Sequence, residues 1–281
     1  MNYNGIVVIN AKNANFNASF DGMPRRLPDG RIYATDKALK YCLREYFSKT
    51  DPVFVQREKE FHGKEGNLKQ RYLTLKENYL KKCKVEELPK DEKEIIDNLL
   101  AFIDVRLFGV VFAVDSNISI TGPCQIGYGI NRYENSNIYV SSILSPYRNP
   151  NEKSREAQQT TIGEESKGDD VYYVYDICLN MNSAEKQGIK ITDSDITKLK
   201  EAMKYAVGEV VSTTMFGVET VSFIWFENKD DKIFNNLNSL VNIFEENNEV
   251  FIDYKKVMEH VKGEAQVREN YSSKVQNKGL E

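Results

Sequence analysis

Residues 104–130 read DVRLFGVVFAVDSNISITGPCQIGYGI. The run Leu107–Val114 (LFGVVFAV) is continuously apolar, which predicts a central strand buried on both faces. Asp104, Arg106 and Gly109 stand at the entrance of that strand, and Thr121, Gly122, Pro123 and Gln125 follow it. Gly122-Pro123 marks a turn. The glycines of Gly127-Tyr128-Gly129 are too few for a phosphate cradle, and no Gly-Lys-Ser/Thr follows, which argues against nucleotide hydrolysis. No enzyme motif has this form.

Upstream, Gly5–Asn10 (GIVVIN) predicts a buried strand, and 10–35 a long polar loop rich in Asn, Gly, Pro and Asp. Thr35 is placed to cap a helix whose apolar face is Leu39, Cys42, Leu43, Tyr46 and Phe47. Lys37, Lys40 and Arg44 recur at spacings of three and four and share another face. Residues 50–100 read as a helical insertion, basic over 56–84, with a second helix starting at Asp91. Downstream, 131–168 lose periodicity, a mark of a functional or a mobile segment. Val171–Leu179 predicts a strand. Thr192 and Asp195 open a helix with Ile196, Leu199, Met203 and Ala206 inward. In the strand Thr220–Phe226, Val221, Phe223 and Trp225 are expected on one face. The tail, 232–281, is expected to be helical to about 262, with its last ~15 residues disordered.

With the piece after Pro123 supplying a strand, the order is β-α-β-β-α-β. The expected fold is therefore α+β, ferredoxin-like, in one domain over 1–281. The hydrophobic share of 41% suits a globular chain. No apolar run reaches the ~20 residues of a membrane helix, and no secretory signal stands at the N-terminus, so a cytoplasmic protein without membrane contact is expected. Cys42, Cys83, Cys124 and Cys178 lack metal-ligand spacing, and His62 and His260 are isolated, so no metal or cofactor is expected. The net charge of −4 hides an asymmetry: residues 1–84 carry 17 Lys and Arg against 9 Asp and Glu, while the rest is acidic. That basic third is where an anionic partner would bind.

Two blocks carry a resemblance. In 8–44, a strand leads to Asn10, Asn13, Asn15 and Asn17, then to Met23-Pro24-Arg25-Arg26, then to Thr35-Asp36 and the helix with Lys37, Lys40 and Arg44. In 104–130, Asp-Val-Arg-Leu-Phe-Gly is followed by Thr-Gly-Pro-Cys-Gln. Together they resemble the backbone subunit of type I CRISPR Cascade complexes, the seventh family of Cas proteins, with a signature closest to subtype I-B. Ala14, Phe16 and Ala18 depart from the family's Gly- and Pro-bearing loop, and Cys124 replaces its Val.

The resemblance implies an RRM-like palm with a helical finger at about 50–100 and a thumb at about 131–168. It implies a non-catalytic subunit of antiviral defence that polymerises head to tail along the guide RNA (crRNA). Such a subunit holds phosphates, leaves base edges free for target DNA, and meets the large, small and 5′-handle-binding subunits. The RNA-binding residues so implied are Asn10, Asn13, Arg25, Arg26, Lys37, Lys40, Arg44, Arg106 and Gln125.

The residues also admit plainer readings. Lys37, Lys40 and Arg44 can form a solvated face; Arg106 can pair structurally beside Asp104; Gly122, Pro123 and Gln125 can be only a turn. Asp21 lies in the loop where type III relatives carry a metal-dependent RNA-cleaving aspartate. An RNA-cleaving subunit is thus one alternative, and a ferredoxin-like interaction protein without nucleic acid another.

Overall fold

The computed structural model describes residues 1–56, 67–80, 88–114, 116–144 and 161–280. His62, Lys81, Lys82, Cys83 and positions 145–160 of the expected thumb lie outside the described residues. The architecture is mixed α+β with antiparallel sheets. The first strand, β1 (Tyr3–Ala14), is followed by the two-residue β2 (Tyr33–Ala34) and by α1 (Asp36–Phe47). Thr35 caps α1 as expected, its side chain accepting from Ala38 N–H. Then come α2 (Leu68–Leu80), α3 (Glu92–Leu99), α4 (Ile103–Phe108), β3 (Gly109–Val114) and β4 (Ser116–Thr121). β5 (Cys124–Ile126), β6 (Gly129–Asn131), β7 (Ile138–Leu144) and the 19-residue β8 (Thr161–Leu179) follow. The chain continues through α5 (Met181–Lys186), α6 (Asp193–Glu209) and β9 (Val218–Asn228). It closes with a 3₁₀ turn (Leu237–Leu240), β10 (Asn242–Glu246), β11 (Glu249–Asp253), α7 (Lys255–Val261), β12 (Ala265–Ser272) and β13 (Gln276–Lys278).

The main sheet runs β12-β9-β1-β8-β6-β2, with β5 and β7 also paired to β8. Along β1 the side chains alternate. Val7, Ile9 and Ala11 join the core under α1 and α6, while Ile6 and Val8 join a second core under β11 and α7. Both faces of the sheet are therefore covered.

Five expectations change. Residues 104–108 are helical, not the mouth of a strand, because Gly109 ends α4 at φ +77°. The apolar run then forms β3, which pairs with β4 in a two-stranded sheet separate from the main one. It is half-buried: Phe112 is enclosed and Val111 is 69% exposed. This hairpin packs with α2 and α3 around a third core, including Phe54, Tyr72, Leu99 and Phe102. The second strand position of the main sheet is filled instead by β5 and β6.

Val221 does not share a face with Phe223 and Trp225. The β1–β9 register shifts between Val8 and Ile9, and this bulge turns Val221 toward Ile224 and Phe226. The tail is not helical. Asn247 and Asn248, both at positive φ, make the tight turn of the β10–β11 hairpin, and the seven residues of α7 are the one α-helical part among the tail's described residues. The last residues are ordered as well: β12 adds to β9 at the sheet edge and β13 pairs β11.

Candidate nucleic-acid interface

The loop of 15–32 is built from its own hydrogen bonds. Asn17 Oδ1 accepts from Thr35 N–H and from Thr35 Oγ1, tying the loop to the cap of α1. Asn15 donates to the carbonyls of Gly22 and Ser166. Asp21 accepts from Met23 N–H at 3.0 Å, an exposed turn bond. Between this loop and α1 lies a cleft of about 600 Å³, lined among others by Asn17, Arg25, Lys37, Tyr41, Tyr128 and Met215. No acidic side chain lines it.

The nine expected contacts separate into two groups. Arg25 borders the cleft with no ion-pair or hydrogen-bond partner for its guanidinium among the described residues, and its Nε is shielded from solvent. Lys37 reaches into solvent, 80% exposed, with Asp36 as its ion pair. That hydrogen bond to Asp36, with the nearby Tyr128 hydroxyl adding a little, holds its ammonium above the ordinary lysine range. Burial alone would push the Asp36 carboxyl up, but hydrogen bonds from Lys37 and Lys40 bring it below its usual value. Lys40 lies closer in, on Asp36 at 3.1 Å and over the Phe108 ring. Arg26 is exposed and donates to the Gly30 carbonyl at 3.0 Å.

The remaining residues face inward or hold structure. Asn10 is buried and donates to Asp170 at 2.6 Å. Asn13, at φ +50°, accepts from the Tyr139 hydroxyl. Gln125 donates back to the Gly122 carbonyl at 2.7 Å, bracing the Gly-Pro turn. Arg44 donates from Nε to Asp104 at 3.0 Å and stacks over Phe108. Asp104, wholly buried, also accepts from Phe54 and Val55 N–H. Arg106 pairs with Asp195 at 2.7 Å and donates to the carbonyls of Leu100 and Ala101. Its structural partner is thus the capping residue of α6 and not the adjacent Asp104.

The glycines of the same stretch are equally structural. A methyl group on Gly109 would meet the Ile120 carbonyl oxygen at 2.1 Å, and one on Gly122 the Leu107 carbonyl oxygen at 2.3 Å. Two backbones cross there at a distance only glycine allows.

A larger groove of about 1410 Å³ runs past the ends of β1 and β9. It sets Lys12, Lys167 and Lys274 against Asp170, Glu219 and Glu249. Mixed charge of this kind offers a polyanion little net attraction, and the smaller, acid-free cleft is the better anion site. Two residues of that cleft, Tyr41 and Tyr128, are not among the nine. The Gly-Tyr-Gly turn was a signal for Tyr128, since it puts a lone aromatic at a turn tip.

Among the described residues, no group of three or more His, Cys, Asp or Glu is arranged to hold a metal ion. Burial pushes the Cys42 and Cys124 thiols up to about 12 and Cys178 up to about 11, which keeps them protonated near neutrality. No helix among the described residues is long and apolar enough to cross a membrane.

The family model of the CRISPR-associated protein Cas7 matches residues 1–268. Among solved structures, the chain is similar to a component of a "CRISPR RNA-guided surveillance complex, pre-nicking", with a TM-score of 0.59 at 11% identity over 99% of this chain and 95% of that one. A second, from a "CRISPR RNA-guided surveillance complex", gives a TM-score of 0.55 at 11% identity over 99% and 94%. At that identity the likeness concerns the fold. No curated protein sequence matches. With its family model spanning nearly its whole length, the chain belongs to the Cas7 family of CRISPR-associated proteins.

Proposed function

We propose that this chain is a non-catalytic crRNA-binding backbone subunit of a type I Cascade effector complex, of subtype I-B, acting in antiviral defence in the cytoplasm. The observation that carries the reading is the acid-free cleft beside α1, with the unpartnered Arg25 and the extended Lys37 at its wall. An unpartnered guanidinium and an ammonium held by an exposed ion pair to Asp36, set where a strand of phosphates can pass, are what such a subunit needs. Arg26 adjoins Arg25 in the loop, and Lys40 follows Lys37 on α1, outside the cleft lining.

In this reading β9, β1, β8 and β6, with α1 and α6, form a ferredoxin-like (RRM-like) palm. The α2, α3, β3 and β4 unit is the finger. The β7–β8 pair, from Ile138↔Gly168 to Leu144↔Thr161, is the base of a thumb. Exposed Val140, Ile143 and Leu144 on β7 suit contact with a neighbouring copy in a head-to-tail filament. The subunit holds the guide for target DNA and meets the other Cascade subunits.

The test is purification of the full chain with and without a guide RNA. RNA-dependent oligomers whose copy number follows guide length are expected, with protected RNA recovered after nuclease treatment. A protein that stays monomeric and free of RNA in both cases overturns the proposal. Incubation of the guide–target RNA duplex with Mg²⁺ tests the non-catalytic part: regular cuts, lost in Asp21→Ala, would contradict it.

A further inference from the structure

We infer that the α1 cleft is a whole-nucleotide subsite, in which one base of the bound RNA stacks on Tyr128 and Tyr41 while its phosphate meets Arg25 and Lys37. This rests on the RNA-binding reading above and goes beyond phosphate contact, because it adds a grip on the base.

The aromatic side of the cleft is the observation. Tyr128 stacks on Tyr33 with centroids 5.3 Å apart and planes 25° from parallel. It nonetheless remains 48% exposed, so the face away from Tyr33 is open. Tyr41, one turn along α1 from Lys37, is 53% exposed and lines the same cleft. Two open tyrosines and two cations, with no carboxylate in the lining and Lys37 bonded to Asp36 outside it, form the pairing that a nucleotide requires: a π-face for the base and charge for the phosphate. The volume of about 600 Å³ falls within the roughly 300–1,000 Å³ of clefts that hold small molecules.

The arrangement is also rigid. Gly129 lies flat on the Tyr175 ring, where a methyl group would sit 2.1 Å from a ring carbon. Tyr175 is fully buried and donates its hydroxyl hydrogen to the Thr35 carbonyl at the head of α1. The turn carrying Tyr128 and the helix carrying Lys37 and Tyr41 therefore rest on one side chain. A base-stacking platform held this way costs little ordering on binding.

The experiment uses the full chain and single-stranded RNA substituted with 2-aminopurine, whose fluorescence falls on stacking. Wild type and Tyr128→Phe are expected to quench the probe alike. Tyr128→Ala is expected to lose much of the quenching and roughly tenfold or more in affinity, with the slope of log affinity against log salt unchanged. Thermal melting of each variant checks that it folds. Photo-crosslinking of wild type to 5-iodouridine RNA, expected at Tyr128 or Tyr41, gives an answer that needs no variant. Wild-type quenching and affinity in Tyr128→Ala, or crosslinks confined to other residues, would overturn the inference and leave RNA binding standing. A wild type that ignores RNA removes both.

Discussion

Asp104→Ala removes one buried acceptor that three donors share. The carboxylate takes Phe54 N–H at 2.8 Å, Val55 N–H at 2.9 Å and Arg44 Nε at 3.0 Å. Around the same short segment, Arg71 of α2 donates to the Phe54 and Val53 carbonyls at 3.0 and 2.7 Å. The segment is therefore the joint between the α2–α3–β3–β4 unit and the main sheet. An orphaned buried N–H costs about 1–3 kcal/mol, and breaking a buried ion pair from one side about 3–5 kcal/mol. The Arg44 side chain keeps 15% exposure, so water relieves part of its stranded charge. The expected loss is about 3 kcal/mol, which urea denaturation reads as a midpoint lower by roughly 1 M for a slope near 3 kcal/mol/M. Asp104→Asn, which keeps an acceptor oxygen, should lose about half of that. A double-mutant cycle with Arg44→Gln should give a coupling above about 1 kcal/mol, and exchange at the Phe54 and Val55 amides should quicken. An unmoved midpoint, or an additive cycle, refutes the reasoning.

Three further outcomes are expected. Arg25→Gln should leave the melting temperature within error, since the guanidinium holds nothing in the fold, while the RNA salt slope shrinks by about 0.7, the value for one phosphate on a single strand. Gly122→Ala should cost about 1–3 kcal/mol or more by overpacking against the Leu107 carbonyl, read by chemical denaturation. Burial raises Asp176 to about 6, only partly offset by Asn238 N–H and Arg132. A raised carboxyl stabilises the fold below its unfolded value near 4, and that contribution is lost as pH climbs through about 6. Asp176→Asn should therefore be more stable than wild type at pH 7, with the advantage fading between about pH 6 and pH 4.

Local signals in the sequence carried far. Thr35 and Thr192 announce their helices because a cap acts within three residues, and both caps form. β1 is legible as a buried strand because both faces of the sheet are covered, which makes its sequence a continuous apolar run. The strand over 107–114 failed at one dihedral: apolar content cannot reveal that Gly109 turns at φ +77°. The expected helix over 232–262 gives way to a hairpin whose sign in the sequence is the Asn247-Asn248 pair between Glu-bearing strands. The arginines were beyond reach. Arg44 meets an aspartate 60 residues away and Arg106 one 89 residues away, and no spacing rule links them. Arg25 was readable as a loop cation, but its freedom from partners becomes visible only once the neighbouring side chains are placed.

Within 104–130, Tyr128 lines the cleft, whereas the signature residues Asp104, Arg106, Gly109 and Gly122 do not. Asp104, Arg106, Gly109 and Gly122 lock the α2–α3–β3–β4 unit to the rest of the fold through a buried carboxylate, a capped helix and a backbone crossing. Each of these tolerates one residue type: a methyl group is excluded at the crossing, and only a carboxylate serves three donors at Asp104. A phosphate makes weaker demands, since any cation on a loop or helix end can reach it. Side chains under such geometric restriction leave a readable signature, whereas a cationic wall reads as ordinary surface. Asking which cations lining the cleft the fold leaves unpaired returns Arg25 among the described residues.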